Sequence, residues 1–457
     1  MAGKTLSIIL AGGAGKRLSP LTTDRAKPAV PFAGSYRIID FALSNCYHSG
    51  LRQVLVLTQY KSHSLQKHLR DGWSIFSPGI GEYITAVPAQ MRTGANWYAG
   101  TADAVFQNLY LLERSGAEQV VILAGDHIYR MDYARMLQEH QGHGADLTIA
   151  CMKVALSEAS EFGVVDCNDQ GRIERFYEKP ENPWPIRGDA NHALASMGIY
   201  VFTLRGLVEQ LIRDQAEKNS SHDFGKDIIP KLLESHDVRC YRFGQAAGRV
   251  SADGYWRDVG TLDAYYQANM DLLRLKPPLD LYQRDWQIRT AEIQAPPARA
   301  VQGASGRRSE VENAILGAGT VIAGGAVWGC VLGRNVTVEE GAVAKHAVLF
   351  DDVTVARGAR IKNCIVDKNV HIPAGETIGF DLELDRKRFT VSTAGISVVP
   401  RGYRFATGYA GGADETQSAR YEETTRFDSP APSEQDINRN LPCLPPRIRT
   451  TNLPPSS

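Results

Sequence analysis

The sequence lacks a surplus of charge: 51 Lys and Arg balance 51 Asp and Glu over 457 residues. Nucleic-acid backbones and anionic membrane surfaces are recognised through basic excess, so neither is expected as a partner. No apolar run approaches the roughly 20 residues that a membrane-spanning helix needs. The seven cysteines, at 46, 151, 167, 240, 330, 364 and 443, include no C-x-x-C pair, and their number is odd. That spacing suits neither a disulfide framework nor a thiolate zinc site, and the thiols read as reduced, as in the cytoplasm. The eleven histidines form no H-E-x-x-H, so no structural metal is expected. A strand pattern begins within a few residues of Met1, so no signal or transit segment is expected.

What is present centres on LSIILAGGAGKRLSPLTTDRAKPAV, Leu6 to Val30. Ile8, Ile9 and Leu10 read as a buried strand. Gly12, Gly13 and Gly15 follow at once in a loop that lets backbone N–H groups approach a ligand closely. Lys16, Arg17 and Lys27 stand nearby, and cations beside such a loop suit a polyphosphate. The loop is not a Walker A sequence, because Arg17 follows Lys16. It is not a dinucleotide fingerprint either, because Leu18 takes the third glycine position. A plain glycine turn is the alternative for the loop alone.

Residues 1–275 alternate short apolar runs with helical stretches, which predicts an α/β domain with a mostly parallel, mixed sheet. The strand candidates are Ile8–Leu10, Val54–Leu57, Val120–Ala124, Leu147–Ala150 and Gly198–Phe202, with helices over Ser62–Leu69 and Ala102–Arg114. Residues 276–310 carry prolines at 277, 278, 296 and 297 and read as a surface linker. From 311 to 400 an apolar residue recurs every sixth position: Ile315, Val321, Val327; Leu332, Val338; Val355, Ile361; Val366, Ile372, Ile378. That period predicts a parallel β-helix, with an inserted loop around Val343–Val353; a β-sandwich would show period two instead. Residues 408–457 are polar, with seven prolines, and are expected to form a disordered tail.

Two acids stand where strands end at glycine turns: Asp126 in VVILAGDHIY and Asp258 in GYWRDVGT. Such an Asp is often only a turn or helix cap. Two of them could hold one Mg²⁺ together.

The strings GGAGKRL, AKPAVPFAG, RIIDFALSN, NWYAGTADA, LAGDHIY, RFYEKPENP, LASMGIYVF, SSHDFGKDIIP and YWRDVGT together resemble the sugar-nucleotide pyrophosphorylases, most nearly the ADP-glucose pyrophosphorylase branch (glucose-1-phosphate adenylyltransferase). The resemblance spans almost all of residues 6–270. It implies a Rossmann-like catalytic domain followed by a left-handed parallel β-helix. The implied reaction joins ATP and glucose 1-phosphate to give ADP-glucose and diphosphate, with Mg²⁺ on Asp126 and Asp258. Arg17 and Lys27 would meet the triphosphate. Gly12, Gly13, Gly15, Gln90, Gly100 and Thr101 would bind the nucleotide, with the Gly100–Thr101 helix start suited to an anion. Tyr98, Gly163, Glu178, Lys179, Ser196, Asp223 and Phe224 would line the sugar-phosphate pocket, although Phe224 reads equally well as core.

Members of the family are commonly tetramers controlled by sugar phosphates and by AMP or phosphate. Arg25, Arg37 and Arg388 are the candidate effector contacts. Asp24 stands where members tuned to fructose 1,6-bisphosphate carry lysine, and an acid there repels a phosphorylated effector. A different activator, such as fructose 6-phosphate, or weaker control is therefore expected. The alternatives are a UTP- or dTTP-dependent sister enzyme, a non-catalytic regulatory subunit, and an acyltransferase β-helix. The last fits poorly, since His346 and His371 lack a recognisable context.

Overall fold

All five apolar runs are strands of one sheet in the computed structural model, which describes residues 4–90, 97–244, 250 and 254–406. Thr5–Ala11 lies at the centre, parallel to Gln53–Thr58 on one side and Gln119–Ala124 on the other. Tyr83–Pro88 extends the parallel part. His192–Thr203 then runs antiparallel to Gln119–Ala124 and carries Leu147–Ala155 and Gly163–Cys167. Ile8 and Ile9 face two different cores, one under the helices Thr101–Phe106 and Leu204–Gln215, the other under Ile39–His48, His63–Trp73 and Tyr133–His143. Burial on both faces explains why these strands read as continuous apolar runs.

The helix expected over Ala102–Arg114 is two helices, Thr101–Phe106 and Leu109–Ser115. Asn108 causes the break. Its Nδ2 donates to the Ala104 carbonyl (2.8 Å), and its backbone N–H reaches only to Val105 O (3.0 Å). A side chain that takes the carbonyl one turn back competes with the helical ladder.

The six-residue period folds as a parallel β-helix: Ala326, Val343 and Arg360 stack in register, as do Thr337, Thr354 and His371. From Ala326 onward, where Ala326 pairs with Val343 and Val343 with Arg360, a coil is one residue shorter than three hexads. Three of the sequence expectations are corrected here. The first coil already begins at Arg299–Val301, paired with Val321–Ala323, inside the segment read as linker. In the first hexad row, Ile322 is the fully buried residue and Val321 is half-buried, a slip of one position. No loop is inserted at 343–353, where Val343–Leu349 is one strand paired on both sides. Its interior is filled by Ala344 and Ala347, too small to register in an aliphatic count. Corner positions Asn335, Asp352 and Asn369 have positive φ, the left-handed turn conformation that Asn and Asp tolerate.

The α/β domain and the β-helix share a third core. Leu18, Leu21, Phe32 and Tyr265 pack there with Val331, Val348, Phe350 and Ile365. Tyr265 OH donates to Pro31 O, Arg334 Nη2 to Ser35 O (2.8 Å) and Tyr266 OH to His346 O (2.8 Å). Asp263 accepts from the hydroxyls of Ser392 and Thr393. The glycine loop's own continuation is therefore part of the junction. Among the described residues the cysteines are free thiols, and no helix is long and apolar enough to cross a membrane. The 408–457 segment lies outside the described residues.

Candidate active site

The first strand ends at Ala11, and Gly12–Gly15 turn from it into a short helical turn, Lys16–Leu18. Gly15 has φ +60°, and a Cβ there would press on Thr22 and on Lys27 Cβ (3.0 and 3.2 Å). A residue with a side chain would push Lys27 away from the strand ends. Lys27 opens a second turn, Lys27–Ala29, with Pro28 fixing its direction.

Asp126 and Asp258 meet through a two-stranded ladder. His127–Tyr129 pairs antiparallel with Trp256–Asp258, so that Asp258 lies opposite His127 and beside Asp126. Lys27 Nζ sits between the two carboxylates, 2.9 Å from Asp126 Oδ2 and 2.8 Å from Asp258 Oδ1. Burial alone would raise the Asp126 pKa, but Lys27 and His127 outweigh it and hold the carboxyl down at about 2. Burial alone would lower the Lys27 pKa, and the same two aspartates raise it.

These residues fit a divalent cation. Donor atoms of Asp126, His127 and Asp258 lie within 4.8 Å of one another. Two carboxylates suit a hard ion such as Mg²⁺, and the Lys27 ammonium already occupies a cation position between them. His127 joins the site although the sequence motifs assigned it no role. Its Nε2 is 3.6 Å from Asp126 Oδ1, and Trp256 packs edge-on against its ring. Only the strand pairing brings it in, although its place next to Asp126 was a usable hint.

A cleft of about 320 Å³ opens over this cluster, lined by Gly13, Gly15, Lys16, Arg17, Lys27, Pro28, Asp126 and Gly260 among others. Arg17 Nη2 and the Asp258 carboxylate both flank Gly260 at about 3 Å from where a Cβ would stand. Arg17 is 60% exposed and has a loose ion pair with Glu161 at 3.6 Å, so its guanidinium is available to an anion in the cleft.

The sugar-side residues form a second group. Glu178 ends a strand opposite Gly163. Its Oε2 lies 2.8 Å from where a Gly163 Cβ would be and 2.6 Å from a Gly225 Cβ. Two missing side chains thus make room for one carboxylate. Burial first, then the Asp223 charge, raises the Glu178 pKa. Lys179 follows at φ 52°, unusual for lysine, with its N–H bonded to Phe162 O (3.0 Å). Phe162 packs on Trp256 with ring centroids 5.4 Å apart, which ties this group to the aspartate ladder. Ser196 accepts from Gly198 N–H (3.3 Å). Asp223 caps the next helical turn by accepting from Gly225 and Lys226 N–H groups. Thr101 Oγ1 donates to Asp223 Oδ2 and accepts from Phe224 N–H, both at 3.0 Å. Tyr98 OH accepts from Asn108 Nδ2 (3.0 Å).

Two expectations change. The Phe224 side chain is core: it is 1% exposed and packs on Tyr200 and Phe202, leaving only backbone for a ligand. The helix beginning at Gly100–Thr101 does not offer a free anion site, because Ala102 and Asp103 N–H groups both donate to His222 O (2.8 and 3.3 Å). Gly100 instead allows that close approach, since a Cβ there would stand 2.2 Å from the same oxygen. Each of the three effector candidates has a protein partner. Arg25 is paired with Asp367 at 2.9 Å with both side chains buried. Arg37 donates to Ala29 O. Arg388 is held by Glu376 and Asp385, each at 3.0 Å. Gln90 is exposed just past Tyr83–Pro88, beside the undescribed 91–96, and Asn96 falls within that segment. Tyr60 and Trp97 stack there at 5.3 Å, an aromatic face formed from distant residues.

The nucleotidyl transferase family model matches residues 6–274, and a GlmU-like C-terminal hexapeptide model matches residues 296–399. The chain is 56% identical over 403 residues to a glucose-1-phosphate adenylyltransferase 2 of Vibrio cholerae, covering 88% of this chain and 99% of the relative. It is 48% identical over 412 residues to a glucose-1-phosphate adenylyltransferase of Rhodopirellula baltica, covering 89% and 92%. A Methylococcus capsulatus relative of the same name is 48% identical over 396 residues, covering 87% and 93%.

Proposed function

The chain belongs to the glucose-1-phosphate adenylyltransferase family, and we infer that it converts ATP and α-D-glucose 1-phosphate into ADP-α-D-glucose and diphosphate. ADP-glucose is an activated glucosyl donor, which places the reaction at the committed step of glycogen-type α-glucan synthesis. The observation that carries the reading is the convergence of Lys27, Asp126 and Asp258 under the glycine loop, with Arg17 beside them.

The chemistry needs no general base. The sugar phosphate oxygen is already an anion near neutral pH, and it attacks the α-phosphorus in line with the departing diphosphate. The protein's task is to align two polyanions and to balance charge as it moves onto the leaving group. Loop N–H groups at Gly12–Gly15 and the Arg17 guanidinium face the triphosphate. Lys27 reaches the same cleft from below. Glu178 accepts from sugar hydroxyls, and Lys179 meets the sugar phosphate. We propose Mg²⁺ on Asp126 and Asp258; when bound it would polarise phosphate oxygens and offset charge on the diphosphate.

The finer partners rest on the resemblance. We propose a cytoplasmic homotetramer under effector control, with a sugar phosphate activating and AMP or phosphate opposing. A non-catalytic subunit would be expected to have lost a charged member of the site, and Arg17, Lys27, Asp126 and Asp258 are all present. The test is diphosphate release from purified protein with Mg²⁺ and glucose 1-phosphate, against ATP, UTP, dTTP, CTP and GTP in parallel, with and without fructose 6-phosphate and fructose 1,6-bisphosphate. Preference for ATP supports the reading. Turnover with UTP or dTTP alone would assign the chain to a sister activity.

A further inference from the structure

Lys27 Nζ is bonded at once to both acids that would hold the metal, at 2.9 and 2.8 Å, and its side chain is 9% exposed. Mg²⁺ binds carboxylate oxygen at about 2.1 Å. An ion that close to both carboxylates would fall within contact distance of the ammonium and face its full charge without intervening water. The two cations cannot share the position.

The Lys27 backbone is fixed. Ala26 N–H donates to Lys61 O (3.2 Å), Val30 N–H donates to Lys27 O (3.0 Å), and Pro28 follows. Its four-carbon stem is the part that can move. The adjoining cleft is lined by Gly13, Gly15, Lys16 and Arg17, and its one acidic lining residue among the described ones is Asp126 itself. An ammonium swung into that cleft therefore finds its counter-charge on a bound phosphate.

We propose that Lys27 is the resident cation of the metal site and exchanges with the divalent ion: it leaves Asp126 and Asp258 as the ion enters and is thereby delivered to the phosphates. The proposal rests on the adenylyltransferase reading and adds a coupling to it. Without nucleotide, Lys27 competes with the metal; a bound polyphosphate draws Lys27 away and strengthens metal binding. By linkage the metal strengthens polyphosphate binding equally.

The test uses the full-length protein without nucleotide, titrated with Mn²⁺ as an EPR-visible substitute for Mg²⁺. Lys27→Met is expected to bind Mn²⁺ at least about tenfold more tightly than wild type, because a unit charge a few ångströms away in a half-buried site is worth at least that much. The double substitution Asp126→Asn with Asp258→Asn should abolish the binding. Equal Mn²⁺ affinity in wild type and a folded Lys27→Met overturns the exchange, as does binding that survives the double substitution. A second measurement needs no variant. Acetic anhydride labelling read by mass spectrometry should leave Lys27 protected in the metal-free protein and modify it at saturating Mn²⁺; labelling unchanged by Mn²⁺ also overturns the exchange. ADP-glucose formation by the wild type is followed in parallel. Its absence would strike the functional reading, whereas unchanged Mn²⁺ affinity in an active enzyme strikes only the exchange.

Discussion

Arg25 and Asp367 form an ion pair at 2.9 Å in which the side chains are 4% and 2% exposed, one from the catalytic domain and one from the β-helix. Their isolation from water decides what the pair is worth. Removing one partner leaves the other charge buried without compensation, a loss of about 3–5 kcal/mol. Asp367→Ala should therefore lower the unfolding free energy by about that amount, read by chemical denaturation. Replacing both, as Arg25→Met with Asp367→Leu, should cost clearly less than the single change, because no charge is stranded. Equal losses would mean that the pair contributes by packing alone.

Arg17 presents the opposite case. It is largely exposed, and its bond to Glu161 is long, so the fold gains little from it. Its predicted work is on the charge of the departing diphosphate. Arg17→Ala should lower kcat by about 10²–10³-fold, the scale seen when one charge-stabilising donor is removed. The melting temperature should stay within a degree or so of wild type, since surface changes of this kind shift stability by about 0.5 kcal/mol or less. A large drop in thermal stability would show that the residue is structural.

Gly163 tests the sugar side. A Cβ at this position would stand 2.6 Å from Phe176 Cζ and 2.8 Å from Glu178 Oε2. The ring is packed in the core, so the carboxylate would yield first. Gly163→Ala should raise the KM for glucose 1-phosphate by about tenfold, equivalent to one hydrogen bond lost to a charged group, and leave the KM for ATP nearly unchanged. A matching rise in both constants would place Gly163 in a general packing role.

How much of this was legible in advance follows from how local each signal is. Thr5–Ala11 and Gln119–Ala124 announced themselves because burial on both faces makes Ile8–Leu10 and Val120–Ala124 uninterrupted apolar runs. The partnership of Asp126 and Asp258 was suspected from glycine turns, but the Asp258–His127 register that creates it is a three-residue ladder with no periodicity of its own. Adjacent aliphatics such as Val321 and Ile322 satisfy a six-residue count equally well, and only packing shows which one faces inward. Asn108 breaks a helix through one side-chain bond, which composition does not encode. That Arg25 is already paired was not readable, because its counter-charge, Asp367, lies far along the chain.

His140 predicts a loss of stability in acid. It is 1% exposed, its Nδ1 is bonded to the Thr148 hydroxyl (2.8 Å), and its Nε2 is buried with no partner among the described residues. Burial lowers its pKa to about 4, with nearby Asp146 opposing only in part. The unfolded chain takes up this proton near pH 6.5, so between that value and about 4 the unfolded state binds more protons than the folded one. Stability is therefore full above pH 6.5 and falls as the pH drops through that window. The loss from this residue between pH 7 and pH 5 should be about 2 kcal/mol. His140→Phe fills much of the same space without a proton to gain, at the expense of the Thr148 bond. It should start less stable at pH 7 yet flatten the pH 5–7 slope in urea unfolding by that amount. An unchanged slope would assign the acid sensitivity to carboxylates elsewhere, since the Nδ1 bond and the unpartnered Nε2 leave the buried ring no other route to it.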